Sequence, residues 1–461
     1  MTNGANTEVM GLVPLEEDPF ENYERRRLKA AVALTLLWSC TVALHLLAWG
    51  QWMVYGLTFL TGAHLFRLLI AHSDNLPKPL PSWLEESQTT LEADLSTWPY
   101  VSILVAAKNE VTVIGHLAEA LMAIDYPPQC YDVWLIDDNS TDGTSELLDK
   151  LSNQHPNLHV VHRDHTATGG KSGALNQVWR KTQGTVLVVF DADAQISPDC
   201  LRHVIPMFDQ PTVGAVQMRK GIANGNQNFW TGGQVAEMAF DAYCQLKRIT
   251  SNGIGELRGN GQFVRRAALE QCGGWNEETI TDDLDLTFRL HLTGWDISLL
   301  VFPIVLEEGV VRAISLWHQR NRWAEGGYQR YLDYWRWLTP HRLGWSKALD
   351  LFFFWLIQYA LPTAALPDFA LAVARNRLPV LMPLSSLVVL FSTLGMANGL
   401  WHSQRASYFK VLGQTLRGMI YMMHWFLVVG TVTLRMAVRP KRLKWVKTQH
   451  TGGLKPNIPV G

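Results

Sequence analysis

VSILVAAKNE (101–110), DVWLIDDNSTDGTSE (132–146), GGKSGALN (169–176) and VLVVFDADAQISPD (186–199) lie along one stretch of the chain, and their common pattern decides the fold. Three apolar runs within it, Val101–Ala106, Val133–Ile136 and Val186–Phe190, are short, rich in Val, Ile and Leu, and do not alternate with polar residues. Strands covered on both faces have this composition. Between them, Val111–Ala123, Thr144–Asn153 and Ser172–Thr182 are helix-like. That order predicts crossover connections and a doubly wound α/β sheet, in which ligands bind beyond the carboxyl ends of the strands. Those ends carry Lys108, Asn109 and Glu110, then Asp137 and Asp138, then Asp191 and Asp193. Carboxylates gathered at one rim repel one another unless a cation or donors on a ligand compensate. The rim therefore reads as a metal-dependent site for a phosphorylated ligand.

Toward the amino terminus, Asp74–Pro99 is polar and proline-bearing, as a linker is. Before it, Leu28–Trp49 and Met53–Ala71 are apolar, the second weakened by His64 and Arg67. The first approximates the ~20 residues a bilayer requires, and it is too long and too far into the chain for a cleaved signal peptide. Arg25, Arg26, Arg27 and Lys29 flank this hairpin and place the amino terminus, and so the domain that follows, in the cytoplasm. Residues 1–24 are polar and acidic, a mobile tail by composition. Beyond the α/β stretch, Leu349–Val373, Leu378–Trp401 and Met419–Val438 are each long and apolar enough to span, with Pro362 and Pro367 kinking the first. Five spans would leave the carboxyl terminus outside, yet RPKRLKWVK (439–447) is strongly basic. An even number is expected instead, with one run re-entrant or interfacial, or another split in two. The resulting division is a tail 1–27, a transmembrane hairpin 28–72, a linker 73–99, an α/β domain 100–311, interfacial helices 312–348, transmembrane helices 349–440 and a basic cytoplasmic tail 441–461.

An apolar share of 48% with 18% charged residues, over 461 residues, suits a globular domain joined to membrane segments. The net charge of −1 implies no nucleic-acid partner. Five scattered cysteines without a C-x-x-C pair argue against a disulfide framework or a zinc site. Trp317, Trp323, Trp335, Trp337 and Trp345 cluster where a headgroup-level segment would lie, over residues 312–346.

The polar motifs differ in weight. Asp137-Asp138, followed by Asn-Ser-Thr-Asp-Gly, is equally a turn and a helix cap. Asp191-Ala-Asp193 on an extended segment would send both carboxylates the same way, where they can hold a divalent ion. GGKSG resembles the end of a phosphate-binding loop, but His165 stands where its first glycine is required; Lys171, near a helix start, can still meet a phosphate. Thr281-Asp282-Asp283 opens LDLTFRLHLTGW, either as a cap or as a carboxylate that takes a proton from an acceptor hydroxyl. Gln319, Arg322 and Trp323 fall at i, i+3 and i+4, one face of a helix, suited to lipid headgroups or to a departing pyrophosphate.

DD, DAD, TDD and QRNRW in that order, between membrane helices, resemble the family 2 glycosyltransferases and most closely their membrane-embedded, cellulose-synthase-like branch, over residues 100–325. The resemblance implies a GT-A fold, that is, a Rossmann-like α/β cytoplasmic domain combined with α-helical transmembrane segments in a multi-pass integral membrane protein. It implies an inverting transferase using a nucleoside diphosphate sugar, usually a uridine one. On matching positions it implies Asn109, Glu110, Asp138 and Lys171 at the nucleoside, and Asp191 and Asp193 holding the diphosphate through Mg2+ or Mn2+. Asp283 would be the general base, and Gln319, Arg322 and Trp323 would bind the diphosphate or frame the acceptor. The family's Thr-Glu-Asp here reads Thr281-Asp282-Asp283, a departure that bears on Asp282 alone. The chain is short and has few spans from which to build a channel, so glucose transfer from UDP-glucose to 1,2-diacylglycerol, a membrane lipid, is expected over a processive β-glycan synthase. A catalytically idle sugar-nucleotide sensor or scaffold is the reading from another class; the filled acidic positions weigh against it.

Overall fold

The computed structural model describes residues 26–71, 98–404 and 407–438. The acidic amino-terminal tail, nearly all of the linker and the basic carboxyl-terminal tail lie outside the described residues. Among the described residues, two helices, α1 (Arg26–Leu46) and α2 (Gly50–Ile70), precede a seven-stranded sheet of order β3-β2-β1-β4-β6-β5-β7. The strands are β1 (Val101–Ala107), β2 (Tyr131–Asp137), β3 (Leu158–His162), β4 (Val186–Phe190), β5 (Val213–Ile222), β6 (Gln262–Arg265) and β7 (Asp296–Glu307). The three apolar runs of the sequence are β1, β2 and β4, parallel neighbours with Val101 opposite both Tyr131 and Val186. They are apolar throughout because helices cover both faces. Ile103 and Val105 pack with Leu117, Leu121 and Leu148 on one side, whereas Leu104, Leu187 and Val189 pack with Leu175, Val178 and Trp179 on the other. The crossovers are α3 (Ile114–Met122), α4 (Thr144–Ser152) and α5 (Gly170–Trp179).

The sheet is mixed rather than wholly parallel. β6 runs antiparallel to β4 and to β5. With four residues, β6 carries too little pattern to be read as a strand from sequence. Helix α6 (Phe229–Thr250) follows β5, α7 (Asp282–Leu292) precedes β7, and α8 (Ala313–Tyr334) follows it. Ala324–Tyr334 are all buried, so the second half of α8 is not an exposed surface helix. Its neighbours include α7, the helix His424–Val438 and α1, the last where Arg26 pairs with Asp333.

Four helices end the described residues: α9 (Trp345–Ala374, with a π turn over Leu356–Ala360), α10 (Met382–Gln404), α11 (Tyr408–Met422) and α12 (His424–Val438). Pro362 has no N–H to meet the Gln358 carbonyl, and the π turn just before it absorbs that loss. Among the described residues, five helices are long and apolar enough to cross a membrane: Arg26–Leu46, Gly50–Ile70, Trp345–Ala374, Met382–Ser403 and Tyr408–Val438. The last divides at Met423 into α11 and α12. The sequence pattern missed α11 because it is amphipathic rather than apolar. Val411, Thr415, Gly418 and Tyr421 are buried, largely against α6, while Phe409, Leu412, Leu416 and Ile420 face outward.

Candidate functional site

The rim is assembled from strand ends. Asn109 follows β1 with φ +55°, a left-handed conformation that Asn tolerates. Its backbone N–H donates to Ser140 Oγ at 2.9 Å, and its Oδ1 accepts from the Thr141 N–H at 2.7 Å. Glu110 is buried, and its N–H donates to Thr144 Oγ1 at 2.9 Å. Of the acid pair after β2, Asp137 is the structural member, accepting from the Ser140 N–H, Ser145 Oγ and His162 Nδ1. Burial alone would raise its pKa, but these hydrogen bonds outweigh it and hold the carboxyl below its usual value. Asp138 instead meets Arg163 Nη1 at 2.5 Å and Lys108 Nζ at 3.4 Å. Arg163 also donates to the Gly170 and Thr168 carbonyls, tying the acid pair to the glycine turn that carries Lys171.

β4 stops at Phe190, and Asp191–Ala194 is a turn closed by the Ala194 N–H on the Asp191 carbonyl at 3.0 Å. The two acids of the DAD motif therefore leave a turn and not an extended strand. The Asp191 N–H donates to Asn260 Oδ1 at 3.2 Å, and its Oδ1 meets Lys171 Nζ at 2.5 Å. Asp193 Oδ2 accepts from the Glu308 N–H at 3.1 Å. Burial opposes the charge on Lys171, but Asp191, Asp282 and Asp283 together raise its pKa above the ordinary lysine value.

Across the cleft, Thr281 occupies the cap position of α7 but its hydroxyl makes no capping hydrogen bond. Thr281 lies against Gly326 of α8, where any Cβ would overlap its side chain. This close approach locks the start of α7 onto α8. Asp283 is pushed up to about 6 by burial and by Asp282 beside it, against the opposing pull of the Leu284 N–H, Lys171 and Lys220. On α8, burial lowers the Arg322 pKa, with Asp191, Asp283 and Asp282 opposing that shift. Lys220, at the end of β5, meets Glu307 Oε2 at 2.6 Å and lies 5.5 Å from the Trp323 ring centroid.

The family model described as "Glycosyltransferase like family 2" matches residues 99–326, the span that holds this site. A beta-monoglucosyldiacylglycerol synthase of Nostoc sp. is 53% identical over 436 residues, covering 93% of this chain and 90% of that protein. The chain belongs to the family 2 glycosyltransferases. The namesake enzyme of Synechocystis sp. is likewise 53% identical over 446 residues, 94% of this chain and 90% of the relative. The solved structure of a mannosyltransferase from Pyrobaculum calidifontis, in complex with GDP-Man and Mn2+, superposes with a TM-score of 0.54 at 22% identity, covering 86% of this chain and 99% of that one. The fold is GT-A.

Within this family 2 glycosyltransferase the residues singled out by sequence occupy several neighbourhoods. Asp191, Asp283, Lys171 and Arg322 act on one another electrostatically across the cleft. Asn109, Glu110 and Asp138 sit at the β1–β2 end, linked to Lys171 through Arg163. Trp323 lies beside Lys220, and Gln319 accepts from Arg320 at 3.0 Å. Sequence reading missed Arg163, Lys220 and Asn260. Arg163 directly follows β3, and Lys220 lies near the end of β5, so the strand-end rule that found the aspartates would have found both. Asn260 sits in a connection with two positive-φ glycines, Gly259 and Gly261, and only that spacing marks it.

Proposed function

We propose that this chain transfers glucose from UDP-glucose to the free hydroxyl of 1,2-diacylglycerol with inversion, giving β-monoglucosyldiacylglycerol. The observation that carries the reading is 53% identity over more than nine-tenths of the chain with proteins named beta-monoglucosyldiacylglycerol synthase. The site supports it chemically. An alcohol is a weak nucleophile, so a base must take its proton as its oxygen bonds to the anomeric carbon. A carboxylate brought to about 6 is a stronger base than an ordinary aspartate and still ionised at neutral pH, and Asp283 fits that role. The bond from the anomeric carbon to the β-phosphate oxygen breaks on the opposite face, and negative charge collects on the departing UDP. Arg322 and Lys171 would offset it. Asn109, Glu110 and Asp138 hold the nucleoside, and Gln319 and Trp323 frame the acceptor side.

Asp191 and Asp193 would hold Mg2+ or Mn2+. Their oxygens are hard donors suited to either ion, and Asp191 already attracts a cation in the form of the Lys171 ammonium. Among the described residues no three His, Cys, Asp or Glu gather as a metal site by themselves. The ion, when bound, neutralises diphosphate charge.

The membrane reading is multi-pass with the catalytic domain cytoplasmic. α12 has 15 residues, about 22 Å of helix, short of the ~30 Å hydrocarbon core. Near its start Trp425 donates to Glu237 of α6, and near its end Arg435 pairs with Glu325 of α8, so both ends touch the catalytic side. Four crossings, by α1, α2, α9 and α10, with α11 and α12 half-embedded, return Val438 to the cytoplasmic side.

The test is incubation of membranes containing the protein with radiolabelled UDP-glucose, diacylglycerol and Mg2+, followed by separation of lipid from insoluble polymer. Label in a lipid bearing one sugar, lost on chelation and restored by Mg2+ or Mn2+, is the expected result. Label confined to polymer overturns it in favour of a processive synthase.

A further inference from the structure

Arg320, the second residue of the Gln319-Arg320-Asn321-Arg322-Trp323 segment, is only 1% exposed, whereas Gln319 and Trp323 are half-buried. Its guanidinium carbon lies 3.9 Å from the Trp323 ring centroid, and Nη1 donates to Gln319 Oε1 at 3.0 Å. One planar cation thus supports two side chains of the motif. Its other end is held from the membrane side. Nη2 donates to Glu237 Oε2 at 2.5 Å and to the Tyr421 hydroxyl at 3.1 Å. Tyr421 donates to the same Glu237 oxygen at 3.0 Å, and Trp425 Nε1 donates to the other at 2.7 Å. Gly233 of α6 leaves the space that the Tyr421 ring fills; a Cβ there would overlap the ring. A buried arginine with this many partners is fixed in place, and its flat face suits an aromatic ring in a way that lysine does not.

We propose that Arg320 is the positioning residue for Gln319 and Trp323, supported by Glu237 and Tyr421, so that α6 and α11 set where the acceptor edge of the site stands. The inference rests on the glucosyltransferase reading of the site given above. Arg320→Lys keeps the charge beside Glu237 but loses the flat face over Trp323 and the N–H geometry that serves Gln319. Tyr421→Phe removes a single hydroxyl from the support.

The experiment compares Arg320→Lys, Tyr421→Phe, Trp323→Phe and the Arg320→Lys/Trp323→Phe double variant, full-length in nanodiscs. It reads kcat per folded enzyme, donor KM and thermal midpoint, with Asp283→Asn alongside. For Arg320→Lys, kcat is expected to fall about 10- to 100-fold, the scale of a misplaced active-site group, at nearly unchanged donor KM and midpoint. Tyr421→Phe should move kcat the same way by less. The double variant should lose less than the product of its two single losses, as coupled residues do. Parental kcat in Arg320→Lys, or losses that multiply in the double variant, overturns the proposal. If Arg320→Lys does not fold, Tyr421→Phe decides by the same kcat criterion. Turnover retained in Asp283→Asn sinks the underlying reading of the site; an inactive Asp283→Asn beside a fully active Arg320→Lys sinks only the role of Arg320.

Discussion

Two clusters of charge differ in depth: Glu256, Arg248 and Arg330 are fully buried, whereas Asp282, Asp283 and Arg322 at the cleft are half-buried. Around Glu256, three guanidiniums converge: Arg330 at 2.7 Å, Arg258 at 2.8 Å and Arg248 at 3.3 Å. Arg248 also reaches Asp350 of α9 at 2.9 Å, and Arg258 reaches Asp241 at 2.7 Å. Burial would raise the Glu256 pKa, but the three arginines drive it far below the usual carboxylate range. At the cleft, Asp282 and Asp283 are adjacent, and burial and mutual repulsion push Asp283 up to about 6. The deeper carboxyl is the one held ionised, so compensation by arginines outweighs burial in the cluster that fastens the domain to its helices, and its lack marks the one suited to chemistry.

The sharpest break in that comparison is Asp283→Asn. If the cleft cluster is chemical, kcat drops by about 10²- to 10⁴-fold in the lipid-labelling assay while UDP still binds. Glu256→Gln should do the reverse. It leaves buried arginines without their carboxylate, a defect that costs about 3–5 kcal/mol, seen as a lowered thermal midpoint in nanodiscs, with kcat per folded enzyme little changed. Third, kcat/KM should fall about tenfold per pH unit below about 6 as Asp283 takes up its proton; a flat profile to pH 5 would remove Asp283 from the role of base. The smallest effect is on stability. Because the folded pKa of Asp283 lies above its unfolded value, this carboxyl leaves stability intact at low pH and lowers it as pH rises through about 6. Asp283→Asn should therefore be more stable than the parent at pH 7.5, on the order of 1 kcal/mol, with the gain vanishing near pH 4. Glu256 has the opposite sign: its depressed pKa gives stability above the carboxylate range that is lost only on strong acidification.

Much of this was readable in the chain. β1, β2 and β4 announced themselves because two-sided burial leaves an unbroken apolar run, and strand ends announced the aspartates because that is where parallel strands present side chains. The antiparallel β6 was not readable, since four residues carry no period. α11 escaped because its polar inner face, which serves α6, breaks the apolar run that marks a span. Arg320 was passed over for the same reason that it matters: it points away from the motif's exposed face into a network whose members Glu237, Tyr421 and Trp425 are 83 to 188 residues apart in sequence from the residues they meet. Contacts of that separation leave no local pattern. The Asp137-Asp138 pair was legible as a site, but only the folded partners assign Asp137 to the turn and Asp138 to Arg163.

The missing side chain at Gly326 has a mechanical consequence. With Thr281 seated directly on α8, the residue that would accept the proton and the guanidinium that would receive the leaving charge belong to one rigid body. A contact that close ties the spacing between Asp283 and Arg322 to the packing of α7 on α8, so a bulkier residue at 326 is expected to disturb both at once.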